Sequence, residues 1–194
     1  MRVVLASNNK NKLREMAQIL SQFGMEVISQ RDAGADFEAE ENGTTFRENA
    51  EIKASAVYDA LHMPVIADDS GLAVDALDGA PGVYSHRFAG ENASDRERSL
   101  KVLEMLEGIP ESSRTARFIC EICYIDEKGE KHFFTGKCEG IIGTEEKGSN
   151  GFGYDPIFLV GGKTLAEMTD DEKNNISHRG NALRLLTGYL KERK

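Results

Sequence analysis

Asp68-Asp69-Ser70-Gly71 places two adjacent carboxylates at the end of the apolar run Pro64-Val65-Ile66-Ala67. A short buried strand that carries acids at its exit is a common seat for chemistry in α/β folds. Successive strand side chains point opposite ways, so Asp68 and Asp69 need not share one task. One can hold a divalent cation while the other orients a water or braces the loop. The same residues also make an ordinary solvated turn. Ser7-Asn8-Asn9-Lys10-Asn11-Lys12 offers hydroxyl, amide and ammonium donors beside the backbone N–H groups of a helix start, a set that suits phosphate oxygens. It lacks the glycines of the common phosphate loop and reads equally as a helix cap with exposed lysines.

Glu38, Glu40 and Glu41 form an acidic run before Asn42-Gly43. A hard cation such as Mg²⁺ needs only one or two carboxylates, so Glu40 or Glu41 is a candidate to join Asp69. A solvated acidic loop would look the same. Glu48 and Lys53, on the helix that follows, also read as a surface pair. In Gly151-Phe152-Gly153-Tyr154-Asp155-Pro156, aromatics alternate with glycines. This pattern lets a ring project while the backbone approaches a ligand. Phe152 is a candidate to stack on a planar base, and Asp155 to fix the loop or accept a hydrogen bond from the base. Lys173 and Ser177-His178-Arg179 add donors that could read carbonyl oxygens on a base edge. Cys120 and Cys123 form a CxxC, but three residues apart on a strand they face opposite sides and cannot easily chelate one metal.

The elements that must position these groups follow from periodicity. Arg2 to Ala6 reads as a strand, and Leu13, Met16, Ala17, Ile19 and Leu20 as one helix face with Gly24 as its stop. Met25 to Ser29 completes a βαβ opening. A second helix is predicted over Thr45 to His62 and a third over Ser94 to Glu107. After the acid-ended strand, Leu72 to Ala76 is expected to return as a hairpin. Arg117 to Ile125 and Lys131 to Lys137 alternate around Asp126-Glu127-Lys128-Gly129, which predicts another hairpin, and a last helix spans Ser177 to Lys191. Helices interleaved with parallel and antiparallel strands indicate an α/β fold with a mixed sheet.

At 194 residues, 40% hydrophobic and 29% charged, the chain has the composition of a soluble globular protein with one substantial core. A net charge of −9 argues against wrapping a nucleic-acid backbone, yet leaves room for a small phosphorylated ligand. No apolar run approaches the ~18 residues of a membrane span. The N-terminus enters a strand pattern directly, without a signal-peptide layout. Three cysteines, an odd number, point to a reducing compartment, so the expected location is cytoplasmic.

Taken in order along nearly the whole chain, these motifs resemble the inosine triphosphate pyrophosphatase family. The resemblance runs through Ser7 to Lys12, Gly43-Thr44-Thr45-Phe46 with Glu48-Asn49-Ala50, and Ala67 to Leu72. It continues through Gly79-Ala80-Pro81-Gly82-Val83-Tyr84-Ser85, Gly151 to Pro156, and Glu172-Lys173 with Ile176-Ser177-His178-Arg179. It implies a single domain over residues 1–194, with an elongated, strongly twisted mixed sheet flanked by helices and two lobes around a cleft. It also implies Mg²⁺-dependent hydrolysis of ITP, dITP and XTP to monophosphate and pyrophosphate, which keeps these nucleotides out of DNA and RNA. The implied partner is a purine nucleoside triphosphate, with neither nucleic acid nor membrane, in what is usually a homodimer. By the resemblance, the stretch from Ser7 through Asn8, Asn9, Lys10 and Asn11 to Lys12 binds the triphosphate. Glu40 and Asp69 serve Mg²⁺, Asp69 is the base, and Ser70 lies against substrate. Phe152, Gly153, Tyr154, Asp155, Lys173, His178 and Arg179 form the base pocket. Asn11, where the family often has glycine, and His86, where a small residue is usual, depart from the pattern. The Phe152 and Ser177-His178-Arg179 elements speak against a related Maf-like pyrophosphatase acting on pyrimidine triphosphates. A non-hydrolytic nucleotide sensor would have no use for so many carboxylates.

Overall fold

A computed structural model of the chain describes residues 1–193. Its elements run β1 (Arg2–Leu5), α1 (Lys10–Ser21), β2 (Glu26–Ser29), α2 (Phe46–Leu61), β3 (Val65–Val74), α3 (Asp95–Met105), β4 (Thr115–Ile125), β5 (Lys131–Ile142), β6 (Phe158–Val160), β7 (Lys163–Thr164), α4 (Asp170–Ile176) and α5 (His178–Glu192). Among the described residues the strands form one seven-stranded sheet in the order β2-β1-β3-β4-β5-β6-β7. β1 is parallel to β2 and β3, whereas β6 is antiparallel to β5 and β7. The sheet is therefore mixed and flanked by helices, as the interleaved pattern predicts.

Local chemistry sets the helix starts. The Asn9 side chain caps α1 by accepting from the Asn11 and Lys12 amides. Thr45 and Glu48 close a reciprocal capping box on α2, and Ser94 and Glu97 do the same on α3. Glu48 is thereby a capping residue, which resolves one ambiguity of the sequence. His62, in the left-handed region at φ 49°, ends α2.

The chain forms two compact units. The first comprises residues 1–69, 120–136 and 179–194, and the second residues 70–119 and 137–178. In the first, strand alternation feeds two cores. Val3, Leu5, Ile66, Cys120, Ile122 and Tyr124 pack with Met16, Ile19 and Leu20 of α1 and Ala182, Leu183 and Leu186 of α5. Val4, Ala6, Val65, Ala67, Cys123 and Ile125 pack with Ala50, Ala54 and Val57 of α2. Cys120 and Cys123 thus lie in different cores, as alternation requires. Burial pushes the Cys123 thiol up to about 12, so it is held neutral. The second unit has its own core around Leu72, Val74, Val102, Leu106, Phe118 and Phe158.

One expectation is corrected. Asp68-Asp69-Ser70-Gly71 is no turn, and Leu72 to Ala76 does not return as a hairpin; β3 runs unbroken for ten residues. Leu72 and Val74 are wholly buried in the second unit's core, and this burial outweighs the local turn preference of Ser70-Gly71. The carboxylates consequently sit in mid-strand. α4, β6 and β7 were not foreseen either.

Candidate active site

Alternation along β3 sends the two carboxylates to opposite faces. Asp68 follows Ile66 onto the face covered by α1 and α5, and Asp69 follows Val65 and Ala67 onto the face covered by α2. Their surroundings differ accordingly.

Asp68 is fully buried in a cage of cations. Its Oδ1 lies 3.1 Å from Lys12 Nζ, and its Oδ2 accepts from Arg179 Nη2 at 3.0 Å. Arg179 Nη1 donates to Glu15 Oε2 at 2.5 Å. Two cations therefore face two anions in the interior. Burial pushes the Asp68 carboxyl up, but Lys12 and Arg179 overwhelm it and hold the group far below the usual carboxylate range. Asp68 is thereby held ionised at neutral pH.

Asp69 has one ammonium to share. Lys53 Nζ, from α2, sits 3.1 Å from Asp69 Oδ1 and 3.0 Å from Glu41 Oε2. Asn49 Nδ2 donates to Asp69 Oδ2 at 3.2 Å. Burial raises the Asp69 pKa. Lys53 and Lys12 pull it down, but Glu41 competes for the same cation, and the carboxyl remains above its ordinary value. Burial would neutralise Lys53, yet the Asp69 and Glu41 carboxylates outweigh it and keep it charged. A buried carboxylate with a raised pKa, tethered by an amide and an ammonium, has the character of a general base.

The donor-rich turn lies beside this strand. β1 pairs with β3, and Ala6 N–H donates to Ile66 C=O at 2.8 Å, so Ser7 to Lys12 emerges next to the acids. Ser7 Oγ accepts from Asn9 N–H at 3.1 Å. Asn8 is half-buried, Lys10 and Asn11 are exposed, and Lys12 reaches back to Asp68. Ser70 is half-buried.

In the second unit, the Gly151 to Asp155 loop is pinned by its own acid. Asp155 Oδ2 accepts from Phe152 N–H at 2.9 Å and from Lys173 Nζ at 2.7 Å. A Cβ on Gly151 would run into that carboxylate, and the residue is at φ 74°, so glycine is required on both counts. Lys173 Nζ lies 4.7 Å over the Phe152 ring. Tyr154 is a core residue whose hydroxyl donates to Ser85 C=O at 2.7 Å. His178 is buried and stacked on Phe118, with centroids 4.7 Å apart and planes at 13°.

A family profile described as the Ham1 family matches residues 3–189. The dITP/XTP pyrophosphatase of Shigella flexneri is 49% identical over 194 residues, covering 98% of each chain. The chain belongs to the Ham1 family. The solved structure of a HAM1 protein from Coxiella burnetii has a TM-score of 0.89 at 46% identity and covers 99% of each chain. The Staphylococcus aureus Ham1 protein has a TM-score of 0.88 at 43% identity, with both chains fully covered.

Two groups in this Ham1 chain bear on a metal. Asp126, Glu130 and His132 each offer a ligand atom, all within 4.8 Å of one another, and could hold a divalent ion. Arg193 already pairs with Asp126 at 3.0 Å and Glu130 at 3.2 Å, and an imidazole is a poor partner for a hard cation. Asp69 and Glu41 offer carboxylate oxygens alone, the donor type that Mg²⁺ prefers, and like Asp126 and Glu130 they already pair with a basic side chain, Lys53. Glu40 is exposed, and it is Glu41 that the structure brings to Lys53. A cavity of about 420 Å³ lined by Met1, Phe23, Met25, Tyr124, Leu190 and Arg193 includes none of the predicted site residues.

In the sequence Lys53 reads as half of a surface pair with Glu48, and Glu15 carries no signal. The resemblance puts Arg179 with the base-reading groups, whereas its guanidinium faces Asp68 and Glu15. The one local signal was a mismatch. Lys53 falls among the core-facing alanines of α2, an odd place for a solvated cation.

Proposed function

We infer that this chain hydrolyses the deaminated purine nucleotides ITP, dITP and XTP to monophosphate and pyrophosphate and so keeps them out of DNA and RNA. The observation that carries this reading is Asp69, buried with a raised pKa against Lys53 and Asn49, on the strand next to the Ser7 to Lys12 turn. In this reading Asp69 takes a proton from the attacking water and Lys53 holds its carboxylate in place. Ser7, Asn9 and Lys12 offset and orient the triphosphate. Asp69, with Glu41 or Glu40, would hold Mg²⁺, which when bound neutralises phosphate charge that would repel the nucleophile. Attack at the α-phosphorus breaks its bond to the bridging oxygen, so pyrophosphate leaves. Relatives named dITP/XTP pyrophosphatase and the family's match over residues 3–189 support the assignment. Among the described residues no helix is long and apolar enough to cross a membrane. A cytoplasmic homodimer is part of the same reading.

Chromatography of the products from ITP with Mg²⁺ tests it. Inosine monophosphate and pyrophosphate are expected. Inosine diphosphate and orthophosphate as main products would place attack at the γ-phosphorus and sink the mechanism.

Base choice is assigned to Phe152, Gly153, Asp155, Lys173 and His178. Phe152→Ala should weaken binding of every purine triphosphate by ~1–3 kcal/mol, the range of base–aromatic stacking. His178→Ala should instead narrow the gap between ITP and ATP, because unmatched buried polar groups discriminate by factors of up to ~10⁴. Values of kcat/KM for ITP, GTP and ATP separate the two patterns. Equal loss on all substrates in His178→Ala would remove His178 from edge reading.

A further inference from the structure

Phe152 is the residue on which base stacking is placed, and its orientation depends on the two peptide planes that flank it. Asp155 accepts the N–H of the first, that of Phe152 itself. The N–H of the second, that of Gly153, donates to Asp95 Oδ2 at 2.8 Å. Gly153 C=O in turn accepts from Ser99 Oγ at 3.3 Å. Asp95 and Ser99 lie about one turn apart on α3, so a single helix holds Gly153 at both its N–H and its C=O.

Asp95 is itself held. Its Oδ1 accepts from Arg98 Nη2 at 2.6 Å, and Arg98 Nη1 donates to His86 C=O at 2.6 Å. Burial pushes the Asp95 carboxyl up, but the Arg98 and Gly153 hydrogen bonds outweigh it and keep its pKa below the ordinary value. Asp95 also opens α3, where the helix dipole favours an anion. An ionised acceptor roughly doubles the strength of an N–H bond over a neutral one. Gly153 is at φ 64°, a conformation that glycine reaches as readily as others, so its own backbone does not fix the loop and the hydrogen bonds from α3 must.

We propose that Asp95, seconded by Ser99, is a positioning residue for base recognition that presets the Phe152 ring by fixing the Phe152–Gly153 peptide. The proposal rests on the assignment of Phe152 to base stacking. Asp95 touches no substrate in this scheme. Its effect appears in the ordering cost of binding, because a loop already in its bound conformation has less freedom to lose.

The test is steady-state kinetics on ITP for Asp95→Ala, Asp95→Asn, Ser99→Ala, Phe152→Ala and the Asp95→Ala/Phe152→Ala double variant, with melting temperatures alongside. Asp95→Ala should raise KM by about 10-fold, the order of one charge-assisted hydrogen bond, with kcat within about 2-fold. Asp95→Asn keeps an oxygen for Gly153 N–H and should recover most of the loss. Ser99→Ala should raise KM by about 2- to 3-fold, the order of one weak neutral hydrogen bond. The double variant should be no worse than Phe152→Ala, because a ring that is gone cannot be misplaced. If Phe152→Ala raises KM but Asp95→Ala does not, or if the two effects multiply, Asp95 has no positioning role. If Phe152→Ala itself leaves KM unchanged, the stacking assignment fails first and this inference with it. Should Asp95→Ala not fold, Ser99→Ala decides, and an unchanged KM there overturns the proposal.

Discussion

Asp69→Asn should keep the fold and lose turnover by a factor of ~10² or more, the order attached to a general base or a metal-binding carboxylate. The substitution preserves shape and one acceptor for Asn49 while removing the negative charge. Two opposed effects act on stability. The Asp69 pKa is raised in the folded protein, by burial first and by Glu41, against the pull of Lys53 and Lys12. A raised folded pKa means that this group's contribution is present below the unfolded value, near 3.8, and is lost as pH rises through the folded value. At neutral pH the buried Asp69 charge carries this cost, but Asp69→Asn also leaves the buried Lys53 ammonium with Glu41, so the melting temperature should change by less than in Asp68→Asn. Turnover should also fall on acidification as Asp69 gains a proton. Near-parental kcat in folded Asp69→Asn would move the base elsewhere. A large fall in melting temperature would mean that Asp69 is structural.

Asp68→Asn should show the opposite pattern, with a large loss of stability and a smaller change in kcat per folded molecule. It removes the carboxylate charge that Lys12 and Arg179 share, in a site where Arg179 is 2% exposed. Breaking a buried pair by removing one partner costs about 3–5 kcal/mol, or about 6–20 °C in melting temperature for a chain of this size. The pH dependence carries a second signature. The Asp68 pKa is depressed, so its contribution is present above the unfolded value near 3.8 and is lost as pH falls through the folded one. The parent should lose stability steeply below about pH 4, and Asp68→Asn should show a flatter decline. Thermal melts between neutrality and strong acid measure both. A variant melting within about 2 °C of the parent would show that the cage contributes little.

Arg179→Ala should lose stability as Asp68→Asn does, an expectation that rests on contacts the sequence does not show. Glu15 and Asp68 lie 164 and 111 residues away from it in the chain. A His-Arg pair at a helix start carries no trace of partners that distant. The links from Asp69 to Asn49 and Lys53, and from Gly153 to Asp95, are of the same kind. Local features were legible. Thr45, Glu48 and the alanine stripe mark α2 to within one residue of each end. The opposed faces of Asp68 and Asp69 follow from strand geometry alone. The continuation of β3 was hidden because Ser70-Gly71 has turn composition, whereas the reason to continue lies in the burial of Leu72 and Val74. β6 and β7, three and two residues long, are too short to show any period. The start of α4 is legible in the capping box of Thr169 and Glu172.

The separation of Asp68 from Asp69 is a matter of parity along one strand. Substitutions between Val65 and Ala67 alter packing by degrees, but a change of length there acts all at once. One inserted residue would exchange the two faces. Asp68 would then meet Lys53, Ala67 would face Lys12 and Arg179, and Asp69 would move on to the place of Ser70. Both carboxylates would remain, in a protein that had lost its core ion pairs and its chemistry together. Indels in this stretch should therefore be far rarer in functional libraries than apolar substitutions at the same positions.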